Sequence, residues 1–277
     1  MQKSSNGPLG SLRAHWPEYL IEGWALGTFM VSAGAITTLF EHPGSALNLA
    51  LQDATLRRAL IGLAMGLTAV ALIYSPWGQR SGAHMNPAVT LTFWRLGKVS
   101  NWDAVFYVAA QFLGGTLGVL LVKAVLRTAF TAPPVNYVAT MPGAAGVWAA
   151  FGAEFVISAL LMTVVLRVSN SSRAMYTGLF AGALVAIYIT LEAPLSGMSM
   201  NPARSFASAW PAGLWTNLWI YLTAPVLGMQ CAAFLHLLGR KSRPVGCAKL
   251  MHSNHQRCIH CGYVPAGMPA RQGELTC

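Results

Sequence analysis

The chain has 277 residues, of which 55% are hydrophobic and 9% are charged, whereas soluble domains carry about 25% charged residues. This composition argues against a soluble globular domain and is typical of a protein that crosses a membrane. The formal net charge of +10 would suit nucleic-acid binding, but the sequence lacks basic patches interleaved with aromatic residues, so we expect no nucleic-acid partner.

Six long apolar stretches follow one another along the chain, and each is close in length to the ~20 residues that an α-helix needs to cross a bilayer. They lie at about 18–40, 56–75, 103–126, 147–168, 175–193 and 215–238. The sequence therefore predicts an all-α membrane protein with six transmembrane helices. The polar segment 1–16 is expected to be a cytoplasmic N-terminus.

Lysine and arginine residues are divided unevenly between the two sides of the membrane. With a cytoplasmic N-terminus, the segments on that side hold thirteen of them and the opposite segments four, while Arg204 lies in the membrane region. An excess of positive charge on cytoplasmic segments is the usual bias of multi-pass proteins. The distribution predicts an integral protein of the plasma membrane or the bacterial inner membrane, with both termini in the cytoplasm.

Two phrases repeat each other at an offset of 115 residues, SGAHMNPAVT at 81–90 and SGMSMNPARS at 196–205. They divide a membrane domain of 17–240 into halves at about 18–125 and 147–238. Each half contains three spans, so the second half enters the membrane from the opposite side. Such an inverted repeat is common in membrane transport proteins.

Each repeated phrase predicts the start of a short helix, because asparagine is a favoured N-cap and proline is favoured at the first helical position. About ten residues follow each cap, which gives a re-entrant half-helix of ~15 Å, half a bilayer. Entering from opposite sides, the two half-helices are expected to meet at mid-membrane, with their positive ends and asparagine amides facing a wet passage. The residues at this predicted centre are Asn86, Pro87, Ala88, Asn201, Pro202 and Ala203.

With its two Asn-Pro-Ala phrases in an inverted repeat, the sequence resembles the aquaporins, the major intrinsic protein family, over about 15–240. The resemblance implies six tilted helices with two half-helices, one pore per subunit, and a homotetramer in membrane lipid. It also implies a passive channel for water and small neutral solutes that excludes ions and protons and requires no cofactor. The membrane part has neither a nucleophile–base pair nor a glycine-rich phosphate loop, so we expect no enzymatic activity.

Three titratable residues are expected to support the re-entrant loops. Glu22 and Glu154 occupy equivalent places in the two halves, where a buried carboxylate can accept hydrogen bonds from loop N–H groups. His84, within the first phrase, is expected to brace its loop. A proton-coupled transporter is the alternative, since intramembrane carboxylates also serve as proton relays.

The resemblance implies an outer constriction formed by Arg204, Met198, Ile189 and a residue of the second span, either Met65 or Gly66. Strict water channels usually place phenylalanine and histidine at two of these positions, and this sequence departs at both. A less polar ring favours partly apolar neutral solutes over water. The alternative to a water channel is therefore a facilitator of glycerol, urea or ammonia with little water permeability.

The basic tail, 241–277, lies outside the resemblance. Cys258 and Cys261 form a CxxC pair of the kind found in zinc knuckles, and Cys247 with His252 or His255 would complete four ligands. The tail therefore offers two alternatives, a zinc site or a basic, partly disordered segment near anionic lipid.

Overall fold

The structure is a computed structural model that describes residues 7–239, 245–252 and 255–265. Six helices within these ranges are long and apolar enough to cross a membrane, which confirms the predicted spans. Shorter helical turns occupy some of the connections. In chain order, with the half-helices as α3 and α7, the main helices are α1 (Pro8–Glu41), α2 (Ala54–Tyr74), α3 (Pro87–Arg95), α4 (Asn101–Leu126), α5 (Val147–Ser169), α6 (Thr177–Leu191), α7 (Pro202–Ala212) and α8 (Leu218–Leu238).

Helix α1 begins at Pro8, ten residues earlier than the apolar pattern predicts. Polar side chains in this added part and just beyond it contact α4. The hydroxyl of Tyr19 donates to the carboxylate of Asp103 on α4 at 2.6 Å, and the ring Nδ1 of His15 lies 2.7 Å from the same oxygen. Most of the predicted polar N-terminal segment is therefore helical and attached to the bundle.

Glycines let the spanning helices approach each other closely. A Cβ at Gly114 of α4 would overlap the carbonyl oxygen of Gly23 in α1, and one at Gly228 of α8 would overlap that of Phe155 in α5. These two pairs are related by the internal repeat. Small residues at helix contacts are the common solution in membranes, where water does not drive the helices together.

Two loops of matching backbone lead into the half-helices. Left-handed φ values, which cost non-glycine residues about 1–3 kcal/mol each, occur at equivalent places in both. These residues are Gly82, Ala83, Met85, Gly197, Met198 and Met200. The surrounding helices hold the loops in place: the Tyr107 hydroxyl donates to the Ser81 carbonyl at 2.7 Å, and the Tyr221 hydroxyl donates to the Ser196 carbonyl at 2.5 Å.

Residues 245–252 and 255–265, which we name the C-terminal segment, form neither helix nor strand. They pack against the end of the bundle at which α1 begins, and Val245, Ala248, Leu250 and Cys258 are buried there. Of the two sequence alternatives for the tail, a partly disordered segment does not describe these residues.

Candidate pore and a cysteine–histidine cluster

The two asparagines of the repeated phrases face each other across the middle of the bundle. Asn86 caps α3 by accepting from Ala88 N–H at 2.8 Å, and its Nδ2 donates to the Met200 carbonyl at 2.7 Å. Asn201 matches it from the other side, since its Nδ2 donates to the Met85 carbonyl at 2.7 Å. Each asparagine therefore caps its own helix and binds the other loop.

These cross-loop bonds differ from the sequence expectation that both amide groups are free donors. Each NH₂ group has two hydrogens, and one of them is used by the opposite loop. One hydrogen remains on each side for a passing solute. The bond also fixes the direction of that remaining donor, because the amide plane cannot rotate without breaking it.

A cavity of about 460 Å³ passes this junction and is lined by residues from both halves. At one end it reaches Glu41 and Arg58, and at the other it reaches Ile73, near the opposite end of α2. Because it contacts the ends of antiparallel helices, the cavity runs along the bundle axis. Asn86 and Asn201 line it between these ends.

Four residues predicted for the constriction line the cavity: Met65, Ile189, Met198 and Arg204. The alternative residue, Gly66, instead contacts the neighbouring span, where an added Cβ would lie 2.5 Å from the Gly182 carbonyl oxygen. Geometry therefore favours Met65 over Gly66 as the α2 contribution.

The backbone N–H of Arg204 is hydrogen-bonded, whereas one nitrogen of its side chain has no hydrogen-bond partner in the described part of the structure. Its N–H donates to the Asn201 side chain at 3.2 Å. Its buried Nη1 atom has no hydrogen-bond partner among the residues that the structure describes. A desolvated guanidinium nitrogen beside the cavity is a strong donor for the oxygen of a neutral solute.

The carboxylate of Glu22 holds the loop before α3. It is fully buried and accepts from Ser81 Oγ at 2.7 Å, from His84 N–H at 3.0 Å and from Met85 N–H at 2.7 Å. Gln111 Nε2 adds a fourth bond at 2.9 Å. These bonds satisfy N–H groups that the irregular loop cannot pair within itself.

Glu154 does the same for the loop before α7. It accepts from Ser196 Oγ, Ser199 N–H and Met200 N–H, each at 2.7 Å. The partners of the two carboxylates are thus equivalent, each pair of partners at an offset of 115 residues. Donors from the loops therefore occupy both carboxylates.

His84 contacts two parts of the molecule. Its Nδ1 lies 3.1 Å from Thr90 Oγ1 in α3, and its Nε2 lies 2.8 Å from the carbonyl oxygen of Ala248 in the C-terminal segment. The first contact is local and fits the predicted bracing of the loop. The second joins residues 164 apart in the chain, and the sequence carries no signal for it.

Cys247, His252, Cys258 and Cys261 form a cluster whose four ligand atoms all lie within 4.8 Å of one another. Cys247 Sγ is 3.3 Å from Cys258 Sγ, and His252 Nε2 is 3.2 Å from Cys261 Sγ. Sulfur ligands about 2.3 Å from a tetrahedral zinc lie about 3.8 Å apart, so the spacing fits this metal. His252, rather than the alternative His255, belongs to the cluster.

The cluster binds protons in the absence of a cation. Hydrogen bonding with the thiols of Cys258 and Cys261 raises the pKa of His252 to about 9, whereas hydrogen bonds from Cys247 and Cys258 hold the pKa of the Cys261 thiol well below its usual range. Hydrogen bonds with Cys258 and Cys261 hold the pKa of the Cys247 thiol well above its usual range. A metal ion at this cluster must therefore displace protons from His252 and Cys247, because its ligands bind in the deprotonated form.

Glu18 is a charged residue that the sequence analysis missed. It is fully buried, and Arg80 Nε and Arg257 Nη2 lie 3.1 Å and 3.0 Å from its carboxylate. Arg257 is 239 residues away in the chain. A glutamate near the end of an apolar stretch indicates that a partner is needed, but no local pattern identifies an arginine of the tail as that partner.

Comparison with known proteins gives one family. The family model described as "Major intrinsic protein" matches residues 24–236. "Putative aquaporin NIP4-1" of Arabidopsis thaliana is 34% identical over 209 residues, which cover 75% of this chain and 72% of the relative. "Aquaporin NIP2-3" of Zea mays is 34% identical over 228 residues, covering 81% and 73%.

Among solved structures, the aquaglyceroporin from Plasmodium falciparum has a similar fold, with a TM-score of 0.65 and 19% sequence identity. The match covers 81% of this chain and 96% of that chain. At this identity, the likeness concerns the fold alone.

Proposed function

This chain belongs to the major intrinsic protein family and is a multi-pass membrane channel for water or small neutral solutes, and we propose that the cavity between its half-helices is the conduction pathway. One observation carries the proposal: the cavity passes Asn86, Asn201 and Arg204, each of which offers a donor to it. A solute oxygen would exchange bonds with these donors as it moves. Membership of this family also makes the protein a channel and not an enzyme.

Exclusion of ions and protons follows from the charge at the same place. The N-termini of α3 and α7 each present about half a positive charge to the centre, and Arg204 adds a full one beside it. Cations entering the cavity are repelled, while neutral solutes are oriented through their oxygens. Glu22 and Glu154 take no part in permeation, because loop donors already occupy their oxygens.

The constriction favours neutral solutes with some apolar surface. Met65, Ile189 and Met198 offer no hydrogen-bonding side chain of useful strength, so Arg204 is the strong donor of the ring. Water is polar over its whole surface, so it loses a larger share of its interactions in such a ring than a partly apolar solute such as glycerol does. A facilitator of glycerol, urea or ammonia with little water permeability is therefore the second candidate, and this apolar ring is what favours it.

Stopped-flow light scattering on proteoliposomes tests the proposal. Water, glycerol, urea and ammonia are compared in vesicles with and without the protein, under a matched osmotic gradient. We expect solute flux proportional to the gradient and independent of a pH difference across the membrane. Solute accumulation driven by that pH difference would instead identify a proton-coupled transporter.

We also propose that Cys247, His252, Cys258 and Cys261 bind one zinc ion. Three thiolates and one imidazole in a tetrahedron form a common structural zinc site. Elemental analysis of the purified protein should give about one zinc per chain, and Cys258→Ser should lose it. Cys231→Ser is the matched control, because Cys231 lies in α8 and outside the cluster.

Assembly as a homotetramer, with both termini on the cytoplasmic side, completes the proposal. Large apolar side chains cover the outside of the bundle, including Leu113, Leu117 and Leu121 along α4, and these need lipid or a neighbouring subunit. Mass determination in detergent tests the subunit number. Labelling of the C-terminal segment in intact and in permeabilised cells tests the sidedness.

A further inference from the structure

The C-terminal segment is bonded directly to the loop that carries the pore centre. The Leu250 N–H donates to the carbonyl of Gly82 at 3.1 Å. The Ala248 carbonyl lies 2.8 Å from Nε2 of His84. Gly82 and His84 both precede Asn86 in the same loop, so the segment uses polar groups at the very entrance to the cavity.

Leu250 lies at that end of the cavity. Its side chain is buried, and it lines the cavity together with Ile73 of α2 and Val165 of α5. The opposite end reaches Glu41 and Arg58, which are far along the bundle axis. A solute that passes the asparagine junction therefore meets an apolar side chain of the tail before it leaves the protein.

Two buried charges fasten the segment to the bundle. The ammonium group of Lys249 donates to the Gln79 carbonyl at 2.8 Å and to the Arg257 carbonyl at 2.7 Å. The Arg257 guanidinium lies 3.0 Å from the buried carboxylate of Glu18. A buried carboxylate that loses a partner is costly, so these contacts favour the docked position.

The cysteine–histidine cluster joins the two parts of the segment that make these contacts. Cys247 stands three residues before Leu250, and Cys258 directly follows Arg257. A segment this short, without helix or strand, has few internal contacts that could stabilise one conformation. A metal ion that binds both parts would stabilise such a conformation, because metal binding and folding are coupled in such small sites.

We propose that the C-terminal segment is a metal-locked plug: zinc in the cysteine–histidine cluster holds Leu250 in the mouth of the cavity and lowers the permeability of the channel several-fold without abolishing it. Release of the metal loosens the segment, withdraws Leu250 and raises the permeability. The proposal rests on the zinc site and the conduction pathway proposed above. Binding of Zn²⁺ to the segment therefore controls the permeability of the channel.

The test measures water and glycerol flux in proteoliposomes of the full-length protein, before and after a membrane-permeant zinc chelator and again after Zn²⁺ is restored. Zinc content is measured in each sample. We expect a several-fold rise in flux on chelation and a return to the low value with Zn²⁺. Cys258→Ser should have high flux that Zn²⁺ does not lower, whereas Cys231→Ser should behave as the unmodified protein.

Leu250→Ala tests the role of the Leu250 side chain separately from the role of zinc. This variant should have a raised flux while zinc remains bound. Flux that stays above the lipid background and does not change as zinc leaves would overturn the plug and leave the channel proposal standing. Protein that binds no zinc as purified and after Zn²⁺ addition would overturn the lock. Background flux in every sample, including chelated Leu250→Ala, would overturn both the plug and the proposed pathway.

Discussion

At the residue scale, the two halves of the repeat differ in charge at Val89 and Arg204, which occupy equivalent places after the two Asn-Pro-Ala phrases. Both line the cavity. One is apolar and the other carries a charge with a free donor nitrogen. The two halves of the cavity therefore match in backbone but differ in charge, and the filter that we propose lies on the side of α7.

Replacing Arg204 with alanine should relax this filter. The change removes both the positive charge and most of the volume of the side chain, so glycerol and urea permeability should rise several-fold relative to water. Vesicles that carry the variant should also admit cations, which conductance or a cation-sensitive dye would detect. Val89→Ala is the control, because it removes volume at the equivalent place without removing charge. Unchanged solute selectivity in Arg204→Ala would contradict the constriction assignment.

Replacing Glu154 with glutamine should destabilise the loop before α7. The N–H groups of Ser199 and Met200 donate to different oxygens of Glu154, so a glutamine would turn its NH₂ group toward one of them and leave at least one buried donor unpaired. The cost of such a donor is about 1–3 kcal/mol. Thermal unfolding in detergent should therefore show a lower midpoint than for the unmodified protein.

Glu41→Gln is the matched control for that measurement. Glu41 pairs with Arg57 at 3.2 Å, but its side chain is 23% exposed, so solvent screens this pair in part and its loss should cost less than that of a fully buried carboxylate. Glu22→Gln should behave as Glu154→Gln does, because its carboxylate has equivalent partners. An equal midpoint for Glu154→Gln and Glu41→Gln would argue against a structural role for the buried carboxylate.

At the element scale, the fold depends on glycines at which two helices pack backbone against backbone. The contacts of α1 with α4 and of α5 with α8 are related by the repeat and use glycine in both cases. Left-handed turns at equivalent positions then bring the two half-helices into the space between the spans. Close backbone packing thus leaves room at the axis for the cavity.

A methyl group at Gly114 should loosen the contact between α1 and α4. The new Cβ would overlap the backbone of Gly23, so the helices must separate, and overpacking of this kind costs about 1–3 kcal/mol. Gly152→Ala is the control in another spanning helix, where an added Cβ meets nothing within 4 Å. We expect a lower melting temperature in detergent only for Gly114→Ala. A drop of equal size in both variants would contradict the role given to the contact with α1, because alanine is the better helix former and should not by itself lower stability.

At the scale of the whole molecule, the channel and the tail form one packed unit. The core that begins between the spans continues into Val245, Ala248 and Leu250. Glu18 and Arg257, near opposite ends of the chain, form a buried ion pair. This ion pair holds the C-terminal segment against the bundle, next to the end of the cavity that Leu250 lines.

Arg257→Ala should release the C-terminal segment without unfolding the bundle. Glu18 keeps Arg80 as a partner, so the cost falls mainly on docking of the tail. Hydrogen exchange at the Leu250 amide, which donates to Gly82, should become faster, while exchange in α4 should not change. Arg173→Ala, at an exposed arginine, is the control. Equal protection of Leu250 in both variants would contradict the role given to the ion pair.

Much of this structure follows from local chemistry in the sequence. Apolar length alone predicts the six spans, since the bilayer sets a fixed thickness. The caps at Asn86 and Asn201 are predictable because a capping bond joins residues only two or three apart. The spacing of Cys258 and Cys261 likewise indicates a metal-binding turn.

Only the tertiary structure decided which residues face the cavity and what the tail contacts. The sequence could not separate Met65 from Gly66, because the choice depends on the rotation of α2 against α6. It contained no signal for the pairing of His84 with Ala248 or of Glu18 with Arg257. These contacts join residues far apart in the chain, where neither periodicity nor capping acts, so they exist only after the helices have packed.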